Sequence, residues 1–290
     1  MSKRTFGEKS FNIFNIILLS FVLIVTIYPF YYIFIASISE GSQVVGGNVV
    51  FYPIDITFAA YKLIPTIKNF FTSFGNTLFY TFFGALTSMA VMTMGAYALS
   101  RKRLKGRRFI GMMISFTMWF NAGIIPFYLN MDSLHLTNSR AGIIFGFACS
   151  AFYIIILRSY FEGIPIELEE AAKVDGMSNF GILLKIMLPL STPVLATIGL
   201  YCVVDRWNGY FWAMILLKDI NLIPLQVLLK KLIVEKDVLA SMDSGGSSFA
   251  YTQETLIDAI IVVSIVPILA IYPFAQKYFV KGLTVGSVKG

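Results

Sequence analysis

The sequence predicts an all-α membrane protein: six transmembrane helices in a single membrane domain over 1–290, with both termini on the cytoplasmic side. Three observations predict it. Hydrophobic residues make up 57% of the chain and charged residues only 13%, against about 25% charged in a soluble domain. Apolar runs recur that reach the roughly 20 residues a bilayer core requires. Lysine and arginine gather on alternate connections between those runs.

The net charge of +7 could in a soluble chain point to nucleic acid. Here it follows from loop asymmetry, and no RNA-binding or zinc-finger pattern accompanies it. Cys149 and Cys202 both fall inside expected spans, 53 positions apart, and read as core cysteines rather than as a disulfide or metal pair. His135 is the only histidine; it lies in a short loop and reads as a surface residue.

The first span is expected over 11–36. Its apolar run is too long for a secretory signal core of roughly 7–15 residues, so Ala36-Ser37-Ile38-Ser39 is not read as a cleavage site. Pro29 lies inside this span, where neighbouring helices can satisfy the freed carbonyl. Residues 37–72 carry turn chemistry: Gly41, Gly46, Gly47, Asn48, Pro53 and Pro65. The second span, 73–100, is rich in small residues: Gly84, Ala85, Ser88, Gly95 and Ala96. Such residues allow close helix approach, either at a pore or dimer interface or in ordinary bundle packing. Spans three to six are expected over 109–130, with Pro126 as a breaker, then 141–160, 186–217 and 255–274. Leu225–Ile233 reads as an amphipathic helix, Ser244–Ser248 as a flexible loop, and 275–290 as a cytoplasmic tail.

Charge decides the orientation. The N-terminus, the 101–108 connection, the 161–185 connection with its borders and the tail together hold 15 lysines and arginines; the remaining segments hold 8. The positive-inside rule places the first set in the cytoplasm. The densest group is Arg101-Lys102-Arg103-Leu104-Lys105-Gly106-Arg107-Arg108, read as a cytoplasmic stop between two spans.

The 161–185 connection holds a polar island. Pro165 suits a first helical turn, Glu167, Glu169 and Glu170 sit where the helix dipole favours anions, and Gly176 can take the left-handed geometry that ends a helix. A helix over 165–176 results, too short to span. Ala171 and Ala172 would let another surface approach closely, and Glu170 offers charge to a basic partner. Glu169 and Lys173 form an i,i+4 pair. On these grounds alone the segment is either an ordinary soluble loop helix or a handle for a cytoplasmic partner.

Glu170-Ala171-Ala172, then three residues, Gly176, nine residues, Ile186, one residue and Leu188-Pro189 resembles the EAA signature of the membrane subunits of bacterial ABC importers, with every position filled. Lys173-Val174-Asp175-Gly176, the Trp207-Asn208 pair and the tail from Gln276 to Gly290 resemble the carbohydrate-uptake, maltose-permease-like branch. Chain size and the short N-terminus resemble its smaller permease subunit.

The resemblance implies a type I ABC importer permease fold in the bacterial cytoplasmic membrane. Glu169, Glu170, Ala171, Ala172, Asp175, Gly176, Leu188 and Pro189 would couple the chain to an ATPase. Lys281, Gly282 and Lys289 in the tail would contact that ATPase. The implied partners are a second permease subunit, two cytoplasmic ATPase subunits and an extracellular solute-binding lipoprotein, besides lipid and without nucleic acid. The implied cargo is a sugar or oligosaccharide; the alternatives are the same machinery with a peptide, polyol or phosphate ester as cargo, and a motor-free membrane channel or enzyme.

No G-x-x-x-x-G-K-[ST] loop is present in the sequence. No cofactor is therefore expected on this chain, and ATP and Mg are expected on the partner ATPases; no catalytic or metal residues are assigned. Asp205 and Arg206 interrupt the fifth span. Charges at membrane depth face a cavity or a partner, which would put them with Trp207, Asn208 and Tyr210 on a sugar path. Alternatively, the span ends near Val204 and these residues are interfacial anchors.

Overall fold

The computed structural model describes residues 6–234 and 251–287. All regular structure among these residues is helical. The helices are α1 (Phe6–Ser37), α2 (Gly41–Val45), α3 (Ala59–Leu63), α4 (Phe70–Ser100), α5 (Arg107–Trp119), α6 (Ile124–Ser133), α7 (Arg140–Phe145), α8 (Ala151–Glu162), α9 (Ile166–Val174), α10 (Asn179–Ile182), α11 (Leu188–Leu190), α12 (Thr192–Asn208), α13 (Phe211–Leu216), α14 (Leu225–Val234) and α15 (Gln253–Ser287). They divide into two compact units, one from the described residues of 1–68 and 229–266, the other from those of 69–228 and 267–290.

In the first unit α1 runs unbroken through Pro29 and exposes apolar side chains on all sides, among them Phe11, Ile17 and Ile24. A helix apolar all round belongs in lipid or against a partner helix. The turn-rich stretch after it folds into a cap rather than a loose loop. Tyr31 donates to Phe51 O at 2.6 Å, Thr57 N donates to Ile38 O at 2.9 Å, and Ile35, Ala36, Val44 and Val49 form a small core. Gly41 is obligatory there, because a Cβ would lie 2.5–2.6 Å from Tyr251 and Thr252.

In the second unit α4 is the axis, with α7, α8 and α12 packed against it. Ala85, Met92, Ala96, Leu157, Phe161, Ile182, Met187, Ile198 and Cys202 share its core. Cys202 is buried as expected, but Cys149 is exposed, because it lies in a break between helices. His135 is exposed in its loop.

Among the described residues, three helices are long and apolar enough to cross a membrane: Gly7–Ser37, Phe70–Ser100 and Gln253–Ile271. The other three expected spans are interrupted. Residues 109–130 form α5 and α6, separated at Phe120–Gly123, where Gly123 has φ 89° and its N–H bonds the Asn121 side chain at 2.9 Å. Pro126, the expected breaker, sits in the first turn of α6, where its missing N–H costs nothing. Residues 141–160 form α7 and α8, separated at 146–150. Residues 186–217 are not one span either: Asn179–Leu190 meets Thr192–Asn208 at 88°. The bend follows a π-helical turn, Leu183–Met187, and lies between Pro189 and Pro193. At the C-terminal end the sixth expected span, 255–274, continues as helix to Ser287, taking in Lys281 and Gly282; Lys289 lies outside the described residues, as does the Ser244–Ser248 stretch.

Candidate functional site

The island forms α9, and its end is built by backbone alone. Gly176, with φ +78°, donates to Lys173 O at 3.0 Å, and Met177 donates to Ala172 O at 2.9 Å. These are the paired bonds of a Schellman motif, which needs the left-handed residue that Gly176 supplies. Ser178 then starts α10 by accepting from Gly181 N at 3.1 Å.

Helical spacing gives α9 two faces. Glu169 and Ala172 are buried against the second unit's core, while Glu167, Glu170, Ala171, Val174 and Asp175 are exposed. The two adjacent glutamates therefore differ. Glu170 points outward. Glu169, 2% exposed, meets three cations: Arg101, Arg103 at 3.4 Å and Lys173 at 2.5 Å. Burial raises the Glu169 carboxyl, but the Lys173 hydrogen bond and the charges of Arg101, Lys173 and Arg103 outweigh it. The carboxyl lies below the usual carboxylate range. A second cluster lies nearby: Glu162 accepts from Arg107 and from Arg158, the latter at 2.8 Å. Arg107 also donates to Leu99 O at 2.6 Å, capping the end of α4.

The basic 101–108 connection is thus more than a topological signal, since three of its arginines hold the two ends of the 162–169 segment. Arg101 and Glu169 are 68 positions apart, and no spacing rule would have paired them. Of the other expected coupling residues, Leu188 is half-buried beside the core and Pro189 is exposed, both before the 88° bend.

The second candidate feature is a cavity of about 1290 Å³ in the second unit. Asp205, Arg206, Asn208 and Tyr210 line it. Trp207 does not; it is buried edge-on to Phe74 at 6.2 Å. The aromatic wall comes instead from Trp212, Phe127 and Phe147, with ring centroids 4.5–5.9 Å apart. Sequence reasoning missed Trp212 because it sits in an otherwise apolar stretch.

Helix α12 continues through Asn208, so the chain does not leave the helix at Val204, and its two charges have separate partners. Asp205 accepts from Tyr153 at 3.0 Å, and Tyr153 stacks parallel to Tyr201 at 6.1 Å. Arg206 donates to Ile143 O at 2.7 Å, to Ser88 Oγ at 3.0 Å and to Phe147 O. Those carbonyls are the ones freed where α7 breaks off. Backbone released at membrane depth must find a partner inside the protein, and Arg206 is that partner. Its stem lies across Gly84, where a Cβ would stand 3.0–3.1 Å away. Gly84 and Ser88, one turn apart on α4, form its groove.

The matches to known proteins agree with this geometry. The family described as "Binding-protein-dependent transport system inner membrane component" matches residues 92–285. The chain is 38% identical over 283 residues to the polygalacturonan/rhamnogalacturonan transport system permease protein YtcP of Bacillus subtilis (strain 168), covering 96% of this chain and 99% of that protein. It is 28% identical to the arabinooligosaccharides transport system permease protein AraQ of Halalkalibacterium halodurans, covering 93% and 94%. Among solved structures, a chain of a bacterial ABC transporter involved in the import of the acidic polysaccharide alginate superposes with a TM-score of 0.90 at 48% identity, covering 96% of this chain and 100% of that one. The inward and outward faces of α9, the permease relatives along nearly the full length and the family match over two thirds of the chain lead to one conclusion: the chain belongs to the inner-membrane components of binding-protein-dependent transport systems, the permease subunits of ABC importers.

Proposed function

We propose that this permease subunit carries an oligosaccharide containing uronic acid residues across the bacterial cytoplasmic membrane, driven by a separate ATPase that grips α9. The observation that carries the coupling half is the division of faces on α9. Glu169 and Ala172 fasten the helix to its own subunit, while Glu170, Ala171, Val174 and Asp175 face water. Val174 is 89% exposed beside acidic residues, a surface suited to a cleft with an apolar floor and basic rim. The cargo half is supported by relatives named for polygalacturonan/rhamnogalacturonan and for alginate.

In this reading six membrane segments, three of them broken, put both termini and α9 in the cytoplasm. A second permease subunit completes the pore, two ATPase subunits bind ATP and Mg, and a lipoprotein delivers cargo from outside. The tail, with Lys281, Gly282 and Lys289, runs along the ATPase pair. ATP favours the closed arrangement of the ATPases, and the docked helix passes that preference to the bundle. The bundle then exposes the cavity to the outside, and hydrolysis resets it. The cavity's aromatic wall and its few polar groups, Asn208, Asp205 and Tyr153 among them, have the character of a small-molecule site.

Proteoliposomes holding the complete importer and its binding protein test this. ATP-dependent uptake of radiolabelled oligogalacturonate is expected, with little uptake of arabino-oligosaccharide. Preferential uptake of arabino-oligosaccharide would move the cargo to neutral sugars, and uptake of peptide or phosphate ester alone would remove the carbohydrate reading.

A further inference from the structure

Arg101 touches four elements at once. It stacks over Tyr97 of α4 at 4.9 Å and donates to Ser100 Oγ at 2.9 Å. It reaches Phe161 O of α8 at 3.3 Å, Met187 Sδ in the π-helical turn at 3.7 Å, and Glu169 of α9. The residue is only 6% exposed. Stability alone does not ask for this arrangement, because well-packed apolar side chains often serve a buried site as well as or better than an ion pair. What a forked guanidinium adds is geometry, since it fixes several acceptors relative to one another. Here they lie on α9, at the end of α8 and on α4, the axis on which the cavity-lining Ser88 and Met92 also sit. The π-helical turn it touches leads into the bend before α12, which carries Asp205 and Arg206 to the cavity.

We propose that Arg101 is a positioning residue for transport: bonded to Glu169, it transmits the displacement of α9 to α4 and α12, and so makes opening of the cavity follow the ATPase. Docking belongs to the outward face of α9; transmission belongs to the inward face, through Arg101. The proposal rests on the docking reading above and not on the identity of the cargo.

Cys149 supplies a cargo-independent reporter. Both cysteines line the cavity, but Cys149 is exposed and Cys202 is buried. The complete importer in lipid nanodiscs is treated with a charged maleimide, nucleotide-free or trapped with ATP and vanadate, and modification of Cys149 is read by peptide mass spectrometry. In the wild type trapping is expected to change the modification rate about tenfold, within the range of ordinary allosteric coupling. In Arg101→Lys and Glu169→Gln the ATPase subunits stay bound and hydrolysis continues, but the change shrinks to about twofold or less. A wild-type-sized change in both variants would overturn the proposal. So would loss of the ATPase subunits from both, which would make the cluster part of docking or folding. A wild type whose Cys149 ignores nucleotide would overturn the transport-cycle reading beneath it.

Discussion

Adjacent residues in this chain do unlike work, because a helix turns about a hundred degrees between them. Glu169 is an inward ion-pair residue and Glu170 an outward one; Asp205 answers Tyr153 while Arg206 answers backbone carbonyls. Arg206 is the more demanding of the two. Replacing it with Gln leaves the carbonyls of Ile143 and Phe147 short of donors at membrane depth. Each such loss costs about 1–3 kcal/mol, so Arg206→Gln is expected to lower the melting temperature of the detergent-solubilised complex, and Gly84→Leu, which fills the groove of its stem, is expected to do the same. Asp205→Asn, which removes a charge from the cavity wall but keeps an oxygen to accept from Tyr153, is expected to alter uptake and leave melting nearly unchanged. Glu169 predicts a pH dependence. Its carboxyl titrates lower in the folded protein than in the unfolded chain. The stability it contributes is therefore fully present above the ordinary carboxylate value of about 4.3 and is lost as pH falls through the lower folded value. Amide protection of 166–174, corrected for intrinsic exchange, is expected to stay level from neutral pH down to about 5 and to fall only below about 4.

At the scale of elements, α9 was legible because its signals are local: Pro165 before it, acids in its first turn, Gly176 after it. The structure reproduces its end with φ +78° at Gly176. Replacing Gly176 with Val places a β-branched residue in that conformation, at a cost of about 1–2 kcal/mol, and is expected to speed hydrogen exchange through 172–178 in the isolated subunit. The broken helices were less legible. Apolar composition carries across Phe120–Gly123 and across 146–150 without a charge to mark either gap. The first break is made by an Asn side chain bonding a glycine two positions on, and the second is sustained by Arg206, 59 or more positions away. Pro126, the expected breaker, lies within a helix, as Pro29 does. By composition the small residues of α4 suit either a pore or ordinary packing; Gly84 and Ser88 receive an arginine, a use that composition does not distinguish from either.

At the scale of the molecule, lysine and arginine counts predict an orientation that the proposed roles of α9 and the cavity depend on. Single cysteines introduced at Lys102 and Glu170 are expected to react with an impermeant thiol reagent only in inside-out vesicles, and one at Lys218 only in intact cells. The same side for Glu170 and Lys218 would contradict the arrangement of segments. Co-purification of the ATPase with Glu170→Arg measures whether the outward face of α9 joins this subunit to its motor. The variant is expected to reach the membrane at wild-type abundance and with wild-type melting, because Glu170 is exposed on its own subunit, yet to retain little ATPase and show no transport-stimulated hydrolysis. Wild-type ATPase retention and stimulation in that variant would contradict that role.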